Sequence, residues 1–372
     1  MSFPSRFNAW VEPSRAPGVA GSGICLTHTT IFMPPLLPMR RALPQPKSPV
    51  YSPVTRVTIG TGKISLLRIL LIVNSFASSV TPRNTVLVHQ HLARHHDVQV
   101  VETNERGHAT RFAQDAASRG LDAVVAFGGD GTLNEVATGL AGSDTALAML
   151  PGGSTNVFVR TLGLANDPMV ALTQLVSGLE HGEVERVSLG QANGRYFCFH
   201  AGIGYDAAVV ELVERRSSLK RLVGQPLFAY SAMHSWFRSY DRQYPHFTLD
   251  IDGRHIPNGY FTVVLNTNPY TFVGKHPINL SKAASLEKKL VVVTFKKMTT
   301  PVMLRTLYSA LRRGGLEKSS SIDIAIDVEN ISINFPAPFP YQLDGDYLGD
   351  TTSLEIKHCP EALRLVRPSI TF

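Results

Sequence analysis

Three glycines and an aspartate interrupt an apolar segment in the stretch VVAFGGDGTLNEVATGL, residues 124–140. Gly128, Gly129 and Gly131 remove side chains where a buried strand is predicted to turn into a helix. The backbone there can take positive φ angles, and another group can come close to it. The N–H groups and dipole of a helix start favour an anion at this point. Because an ordinary strand-to-helix turn needs only one or two glycines, three around Asp130 predict a phosphate site.

Two carboxylates stand close together in the stretch YQLDGDYLG, residues 341–349. Asp344 and Asp346 are two positions apart, and side chains at that spacing on a strand point to the same side. A carboxylate in such a place can accept the proton of an attacking hydroxyl group. Since Asp-Gly is also a routine hairpin turn, the pair indicates chemistry only in combination with the glycine loop.

The elements that must position these residues begin with an alternation of strands and helices over residues 66–186. Strands are predicted in LRILLIVNS, DVQVVET, VVAFG and ALAMLPGG, and helices in TPRNTVLVHQHLARHH, HATRFAQDAASRG, TLNEVATGL and DPMVALTQLVSGL. This alternation predicts a doubly wound α/β domain with a parallel sheet. Ligands of such sheets bind beyond the carboxyl ends of the strands, where the glycine loop and PGGSTN (151–156) both lie.

Residues 187–372 show a different pattern, in which short alternating strands are joined by Asp-Gly and Asn-Gly turns. Examples are ERVSLGQANGRYFCFHAGIG, HFTLDIDGRHIPNGYFTVVLNTN and SSIDIAIDVENISINF. The pattern predicts a mostly antiparallel β-sandwich as a second domain, with its C-terminal end placed to pack back on the first. One helical insertion is predicted within it, over residues 206–240.

The positive charge of the chain is concentrated at its N terminus. The chain has 36 Lys and Arg against 29 Asp and Glu, and residues 1–65 hold seven of the basic residues with one acidic residue. The rest is close to neutral, so nucleic acid is not an expected partner. Residues 1–65 also hold ten of the 24 prolines. They are predicted to be a disordered Pro-rich basic extension, and the alternatives are a targeting segment or a gene start nearer Met39 or later.

The cysteines and the apolar runs exclude two further classes of protein. Cys25, Cys198 and Cys359 are far apart and odd in number, which predicts neither a disulfide framework nor a zinc site. An intracellular location follows as the default. No apolar run reaches the length that a membrane-spanning helix needs.

Four blocks together resemble one known family. FGGDGTLNEV, LPGGSTNVFVRTLG, HAGIGYDAAVV and YQLDGDYLG occur in the order and spacing of the diacylglycerol kinase catalytic-domain family, which includes bacterial soluble lipid kinases and sphingosine kinases. The resemblance covers residues 66–368. It implies a nucleotide-binding α/β domain (66–186), a β-sandwich substrate domain (187–372) and a site in the cleft between them. It also implies a kinase that uses ATP and Mg²⁺ to phosphorylate a lipid hydroxyl.

The resemblance implies a set of nucleotide-binding residues in the first domain. They are Asn74, Thr103, Gly128, Gly129, Asp130, Gly131, Thr132, Leu133, Asn134, Glu135 and Thr155. The run from Gly129 to Glu135 is expected to surround the ATP phosphates, and Asp130 to order Mg²⁺-bound water or backbone donors. Thr103 fits a helix N-cap equally well. Within the family's Asn-Pro-x-x-Gly loop, only Asn74 matches, because serines replace the proline and the glycine.

In the second domain the resemblance implies catalytic roles for Asp344 and Asp346. Asp344 stands where the family has its proposed general base, and Asp346 stands at the position of a family glutamate. His200 stands where relatives usually have asparagine, and a core or turn role is expected for it.

One departure concerns a structural magnesium site. Many members of the family carry an Asp-Gly where this chain has Lys288 and Lys289, and a protonated lysine cannot bind Mg²⁺. Glu287 is the expected substitute ligand by a shift of one residue. The alternative is that the cation is absent and Lys288 supplies positive charge instead.

The acceptor and the partners stay open at this point. Diacylglycerol is the leading acceptor, and a sphingoid base, ceramide or a polar glycolipid are alternatives. The segment 206–240 carries Arg215, Arg216, Lys220 and Arg221 beside apolar residues. It is expected either to rest on an anionic membrane surface or to be a solvated helix face. The expected location is cytoplasmic, peripheral to the inner face of the membrane, and a homodimer is left open.

Two rival functions remain. An NAD kinase shares the GGDGT turn, but PGGSTN fits lipid kinases better. A non-catalytic nucleotide-binding regulator would explain the altered NSFAS loop and the lysines at 288 and 289, although the presence of Asp130 and Asp344 argues against it.

Overall fold

The computed structural model describes residues 66–215, 231–236, 240–312, 314–316 and 318–368. All of these described residues belong to one compact unit. The predicted extension over residues 1–65 lies outside the described residues, and so does the middle of the predicted helical insertion, residues 216–230.

The first half is an alternation of parallel strands and helices. Its elements are β1 (Arg68–Val73), α1 (Pro82–Leu92), β2 (Asp97–Glu102), α2 (His108–Ser118), β3 (Ala123–Gly128), α3 (Asp130–Leu140), β4 (Ala146–Pro151), α4 (Val157–Thr161) and α5 (Pro168–Glu180). The parallel strands lie in the order β4-β3-β1-β2. Every residue of β3 and β4 is buried, as expected of strands covered by helices on both faces. The predicted α/β fold is confirmed.

The second half is rich in antiparallel strands, as predicted. Its elements are β5 (Val184–Ala192), β6 (Arg195–Phe197), β7 (His200–Gly204), α6 (Tyr205–Glu214), β8 (Phe247–Ile251), β9 (Arg254–Gly259), β10 (Phe261–Leu265), β11 (Thr271–Val273), β12 (His276–Ile278), β13 (Leu290–Phe295), α7 (Thr300–Arg312), β14 (Ile322–Val328), β15 (Asn330–Leu343) and β16 (Asp346–Val366). Strand β16 pairs with β15 and β5, and near its end Leu365 lies opposite Leu147 of β4 in parallel register. The C-terminal strand therefore joins the two halves into one sheet.

Two cores lie on opposite faces of the antiparallel strands. In β10, Val264 belongs to one core and Val263 to the other, and in β13 the same alternation separates Val292 from Val293. This is the period of two that a strand imposes on its side chains. A separate core packs the first half around β1, β3 and β4.

The prediction of a single helical insertion in the second half is wrong. Within the predicted segment, residues 205–214 form α6 and residues 231–236 are helical. A further helix, α7, lies between β13 and β14. The sequence of this helix carries two helix signals, Pro301 near its start and apolar residues at spacings of three and four, although the apolar side is the exposed one. Each helix in the described part of the chain is too short or too polar to cross a bilayer.

Candidate active site

The glycine loop between β3 and α3 packs against the loop that follows β4. A Cβ atom on Gly152 would lie 2.7 Å from Gly128 Cα, and one on Gly153 would lie 2.9 Å from Gly129 Cα. The Gly152 N–H donates to the Gly128 carbonyl at 2.7 Å. The two loops thus meet backbone to backbone. Gly128, Gly129 and Gly131 are not among the positive-φ residues. Glycine is therefore needed here because of the close approach of the two backbones and not because of a positive φ angle.

The first turn of α3 carries the expected phosphate-binding groups. Gly129 is the N-cap residue with extended backbone, and the leading N–H groups of a helix have no carbonyl partner within the helix. A Cβ atom on Gly131 would meet only Asp346 Oδ1, at 3.6 Å. The space beside this turn is therefore bordered by a carboxylate from the second half of the chain.

Asp130 organises the loop by accepting backbone donors. Its Oδ2 accepts the Val157 N–H at 3.0 Å and its Oδ1 accepts the Phe158 N–H at 3.2 Å. These N–H groups begin the short helix α4, so Asp130 fixes the segment after PGGSTN against the glycine loop. Of the two roles predicted for Asp130, ordering of backbone donors is the one visible in its contacts.

The last three residues of the predicted phosphate loop have other partners. The Leu133 N–H donates to the Gly129 carbonyl at 3.1 Å, and the Leu133 side chain is buried in the core. The Glu135 carboxylate accepts the N–H groups of Gly107 and Ala109, at 2.9 and 3.1 Å, and so caps α2. That the whole run from Gly129 to Glu135 surrounds the ATP phosphates stays a prediction, and the Leu133 N–H and the Glu135 carboxylate already have partners within the protein.

Asn74, Thr103 and Thr155 lie in three different environments. Asn74 Nδ2 donates to the Thr132 hydroxyl at 2.9 Å, which brings the NSFAS loop to the glycine loop. Thr103 is buried and its N–H donates to the Val73 carbonyl at 2.9 Å. Its N-cap alternative is wrong, because α2 begins at His108 after the N-cap residue Gly107. Thr155 is half-buried in the bend that precedes α4. Nucleotide binding by these three residues stays a prediction.

Asp344 is buried at the turn between β15 and β16. Asp344 and Gly345 both have positive φ, at 51° and 84°, so the stretch is also the tight hairpin turn that Asp-Gly favours. The Asp344 carboxylate accepts three backbone N–H groups and one side-chain amide. The donors are Cys198 at 2.6 Å, Phe199 at 2.9 Å, His200 at 3.0 Å and Asn134 Nδ2 at 2.8 Å. Asp344 therefore ties the β6–β7 connection to the first turns of α3.

The electrostatics of Asp344 result from two opposing effects. Burial raises the pKa of the carboxyl to about 6, while the four donated hydrogen bonds pull that pKa down. Burial has the larger effect, since the ionised form loses its hydration in the interior. The carboxylate thus changes its protonation state close to neutral pH, which suits a group that accepts and returns a proton.

Asp346 lies at the mouth of the same site between two arginines that the sequence analysis missed. Arg195 Nη2 donates to Asp346 Oδ2 at 2.9 Å, and Arg106 Nη2 lies 3.5 Å from Asp346 Oδ1. Arg195 also donates to Asn134 Oδ1 at 3.3 Å. Arg195 follows the Asn193-Gly194 turn and Arg106 stands between Glu105 and Gly107, in stretches that do not by themselves indicate a phosphate contact. Only the pairing of β5 with β6 and of β15 with β16 brings Arg195 to this point.

A half-buried carboxylate, Asp206, also escaped the sequence analysis. Asp206 Oδ2 accepts Gln342 Nε2 at 2.7 Å, and Asp206 Oδ1 accepts the Tyr270 hydroxyl. Gln342 Oε1 in turn accepts the Gly345 N–H at 2.7 Å, so this network reaches the Asp344 turn. A Cβ atom on Gly202 would overlap the Asp206 carboxylate. In the sequence, the glycines of HAGIG (200–204) were the signal that could have indicated this close approach.

The predicted metal ligand Glu287 does not face a cation site. Its carboxylate is exposed and accepts Arg367 Nη2 at 2.6 Å and the Ser285 hydroxyl. Lys289 pairs with Glu329 at 2.6 Å. Among the residues that the structure describes, no three His, Cys, Asp or Glu side chains are grouped so that they could hold a metal ion. The metal role predicted for Glu287 is wrong, because an arginine occupies the place of the cation.

His200 is a buried strand residue beside the site. Its ring lies 4.6 Å from the Tyr270 ring, centroid to centroid, and burial lowers its pKa to about 4. The imidazole is neutral at physiological pH, so it adds no charge next to Asp344.

Comparison with known proteins agrees with this geometry. Residues 68–192 match the diacylglycerol kinase catalytic domain. The predicted resemblance to the diacylglycerol kinase catalytic-domain family is confirmed. The chain is 38% identical to a diacylglycerol kinase of Bacillus subtilis over 130 residues, which are 34% of this chain and 41% of that protein. It is 28% identical to a candidate lipid kinase of Streptococcus pneumoniae over 259 residues, 67% of this chain and 80% of that one.

A solved structure shares the fold. A candidate diacylglycerol kinase of Bacillus anthracis superposes with a TM-score of 0.65 at 23% identity, covering 82% of this chain and 98% of the other. The matches to the Bacillus subtilis and Staphylococcus aureus diacylglycerol kinases span 41% of each relative's length. The family model matches residues 68–192, and Asp344 and Asp346 lie outside that range.

Proposed function

We propose that the protein is an ATP-dependent lipid kinase that transfers the γ-phosphoryl group to a lipid hydroxyl, with diacylglycerol as the first acceptor to test. One observation carries the proposal. Two carboxylates of the second half, Asp344 and Asp346, meet the first turns of α3. Asn134 donates to Asp344 at 2.8 Å, and Asp346 Oδ1 lies 3.6 Å from the position that a Cβ atom on Gly131 would take. A phosphate-binding helix start facing a proton acceptor is the minimum that phosphoryl transfer to an alcohol requires.

The nucleotide is proposed to bind with its phosphates at the start of α3. The backbone N–H groups and dipole of this turn favour the phosphate charge, and the glycines leave room for it. Mg²⁺ neutralises charge on the phosphates when it is bound. The residues present fit an ion that arrives with the triphosphate rather than a separate protein site, since Mg²⁺ is commonly held by phosphates with one or two carboxylates. Asp130 is the carboxylate of this loop.

Proton acceptance is assigned to Asp344. The acceptor oxygen attacks the γ-phosphorus, the bond from the γ-phosphorus to the bridging oxygen breaks, ADP leaves, and the hydroxyl proton passes to the carboxylate. The four donors already occupy the Asp344 oxygens. Asn134 is the donor that comes from a side chain, so it is the group that must turn away when the hydroxyl arrives. Asp346 is the second carboxylate within the site.

Arg195 and Arg106 are proposed to hold the transferring phosphoryl group. Both guanidinium groups face the Asp346 carboxylate, and Arg106 Nη2 also donates to Glu214 Oε1 at 3.4 Å. Two oxygens of a phosphate can accept a bidentate pair of guanidinium N–H groups, as the two oxygens of a carboxylate do. When the triphosphate occupies the turn beside Gly131, the two arginines can leave the Asp346 carboxylate and bind the phosphate oxygens instead.

The acceptor class and the location follow from the family. A diacylglycerol, sphingoid base, ceramide or glycolipid hydroxyl is proposed, and the protein is proposed to work in the cytoplasm at the inner membrane face. The membrane contact predicted for residues 206–240 falls mostly outside the described residues. At its described end, Arg215 pairs with Glu211 at 2.5 Å.

The test supplies labelled ATP and Mg²⁺ to the full-length protein with diacylglycerol in mixed micelles, sphingosine and NAD in parallel. Labelled phosphatidic acid is the expected product. Labelled NADP would move the protein to the NAD kinase class. Tight ATP binding without transfer to any of the three acceptors would favour the non-catalytic regulator and contradict the proposal.

A further inference from the structure

Helix α7 carries its large apolar side chains on the outside. Leu304, Leu307, Tyr308 and Leu311 are 63%, 49%, 58% and 41% exposed, and we call these four residues the outward stripe. The residues of α7 that are buried are Thr306, Ser309 and Ala310. Spacings of three and four residues place each set on one side of a helix, and the two sets lie on opposite sides. This is the reverse of an ordinary surface helix.

The inward face fixes the helix in this orientation. Ala310 belongs to the core beneath α7, and its carbonyl accepts the Asn279 N–H at 3.0 Å. The Thr306 hydroxyl donates to the Val302 carbonyl at 2.8 Å, so this polar group is satisfied within the helix. The small buried residues let the helix lie close to its core, and a rotation that buried the leucines would remove these contacts.

The surroundings of the outward stripe are basic. From Lys296 to Arg312 the sequence contains Lys296, Lys297, Arg305 and Arg312 and no acidic residue. Lys297 and Arg312 are exposed. An apolar stripe bordered by basic residues is the composition of helices that lie in the interface of an anionic bilayer.

We infer that α7 docks the protein on an anionic lipid surface, with the outward stripe in the headgroup region and the basic residues against the lipid charges. The choice of a lipid surface rests on the proposed function, because a lipid kinase must meet its acceptor there. A second copy of the chain fits less well. A two-fold contact between stripes would set two acid-free basic helices against each other, and like charges would oppose it.

The docking helix is connected to the candidate active site through the β11–β12 hairpin. At one end Asn279, just after β12, bonds to Ala310 of α7. At the other end Arg160 of α4 lies 3.6 Å over the Phe272 ring and donates to the Gly274 carbonyl at 3.1 Å. Helix α4 is the one that Asp130 holds. The hairpin thus joins the docking face to the loop beside the phosphate site, and its Val273 side chain is exposed as well.

The experiment measures partition of the full-length protein onto extruded vesicles by sedimentation, without ATP. One set of vesicles is pure phosphatidylcholine and the other contains phosphatidylglycerol at half of the lipid. The wild type should bind the anionic vesicles and lose that binding at high salt. Changing Leu304→Glu, Leu307→Glu and Leu311→Glu together should weaken binding by at least about tenfold, because apolar burial is lost and negative charge is added. Lys297→Gln should weaken it by about fivefold.

The matched controls are Val86→Glu on α1 and Val170→Glu on α5, whose side chains are 53% and 54% exposed. Both should bind vesicles like the wild type. Three outcomes would overturn the inference: no binding of the wild type to anionic vesicles, unchanged binding of the stripe variant, or equal weakening by the controls. Light scattering that showed a wild-type dimer and a stripe-variant monomer would make a second copy the occupant, and a lowered melting temperature of the stripe variant would mean that the chain itself covers the stripe. Because no turnover is measured, vesicle binding can succeed or fail independently of the kinase assay.

Discussion

The two halves of the molecule contribute to the candidate active site in different ways. The parallel half offers backbone groups together with the side chains of Asn134 and Arg106, and its carboxylates at 130 and 135 hold other backbone N–H groups in place. The antiparallel half offers side chains, with Asp344 and Asp346 next to Arg195 at the ends of strands. Backbone recognition suits a constant phosphate, whereas side chains suit proton transfer and the choice of acceptor.

The contacts between the halves show what this division requires. Asn134 and Asp344 are 210 positions apart, yet their side chains bond at 2.8 Å. A site assembled this way depends on the register of β15 against β7 and β16, since a slip of one residue would turn Asp344 to the other face. The parallel half has no comparable dependence, because its phosphate turn is formed by consecutive residues.

The largest effect is expected at the point where the halves meet. Asp344→Asn should lower the rate of phosphoryl transfer by about 10² to 10⁴ fold, because the amide cannot accept the proton. It should also cost about 1–3 kcal/mol of stability for each backbone donor left without an acceptor. The rate of labelled phosphate transfer and the melting temperature measure the two effects separately. Asp350→Asn, at an exposed position of β16, is the control, and a folded Asp344→Asn protein with wild-type activity would remove Asp344 from the chemistry.

The next effect separates packing from binding within the parallel half. Gly128→Ala would place a Cβ 2.6 Å from the Thr132 hydroxyl, so we expect about 1–3 kcal/mol of lost stability together with lost ATP binding. In Gly131→Ala the new Cβ meets only Asp346, at 3.6 Å. That variant should keep its melting temperature and lose ATP affinity. Equal ATP titration curves for Gly131→Ala and the wild type would show that the phosphates do not sit at this turn.

The pH dependence of transfer tests the antiparallel half alone. Burial raises the pKa of Asp344 to about 6, and only the ionised carboxylate accepts a proton. The rate should therefore be constant above that pKa and fall about tenfold per pH unit below it. A profile of kcat/KM from pH 5 to 8 measures this. A rate that stayed constant down to pH 5 would contradict proton acceptance by Asp344.

The smallest effect is expected where a site residue of the sequence analysis proved to be a helix cap. Glu135→Gln keeps one acceptor oxygen but loses the negative charge at the start of α2, which should cost about 0.5–2 kcal/mol of stability. The melting temperature should fall by about 2–4 °C per kcal/mol, while the transfer rate stays at the wild-type level. Glu361→Gln at an exposed position is the control. A large loss of activity without a loss of stability would return Glu135 to the phosphate site.

The sequence alone was a good guide where the signal is local. The strand, the glycine turn and the helix from 123 to 140 follow from consecutive residues, because buried parallel strands are apolar throughout and glycine marks close approach. The same locality hides the partners of Leu133 and Glu135, which lie in the helix turn and at the start of α2. A motif indicates that a phosphate loop is present. It does not show at which residue the backbone N–H groups begin to form the hydrogen bonds of the helix.

Helix α7 shows the opposite case. Its apolar residues have the spacing of a helix, with Leu304, Leu307 and Leu311 on one side, but that side is exposed, so the rule that the apolar side faces the core fails. The inversion becomes visible only when the helix is seen lying on Thr306, Ser309 and Ala310.

By itself, the sequence determined the alternation of the first half, the strand-rich second half and the presence of a phosphate loop, since propensity and periodicity act between near neighbours. The tertiary structure decided which groups meet that loop. It brought Arg195 and Arg106 to Asp346 and surrounded Asp344 with four donors. It also paired Glu287 with an arginine instead of a metal ion. These contacts join residues far apart in the chain, and their burial and charge exist only once the strands have paired.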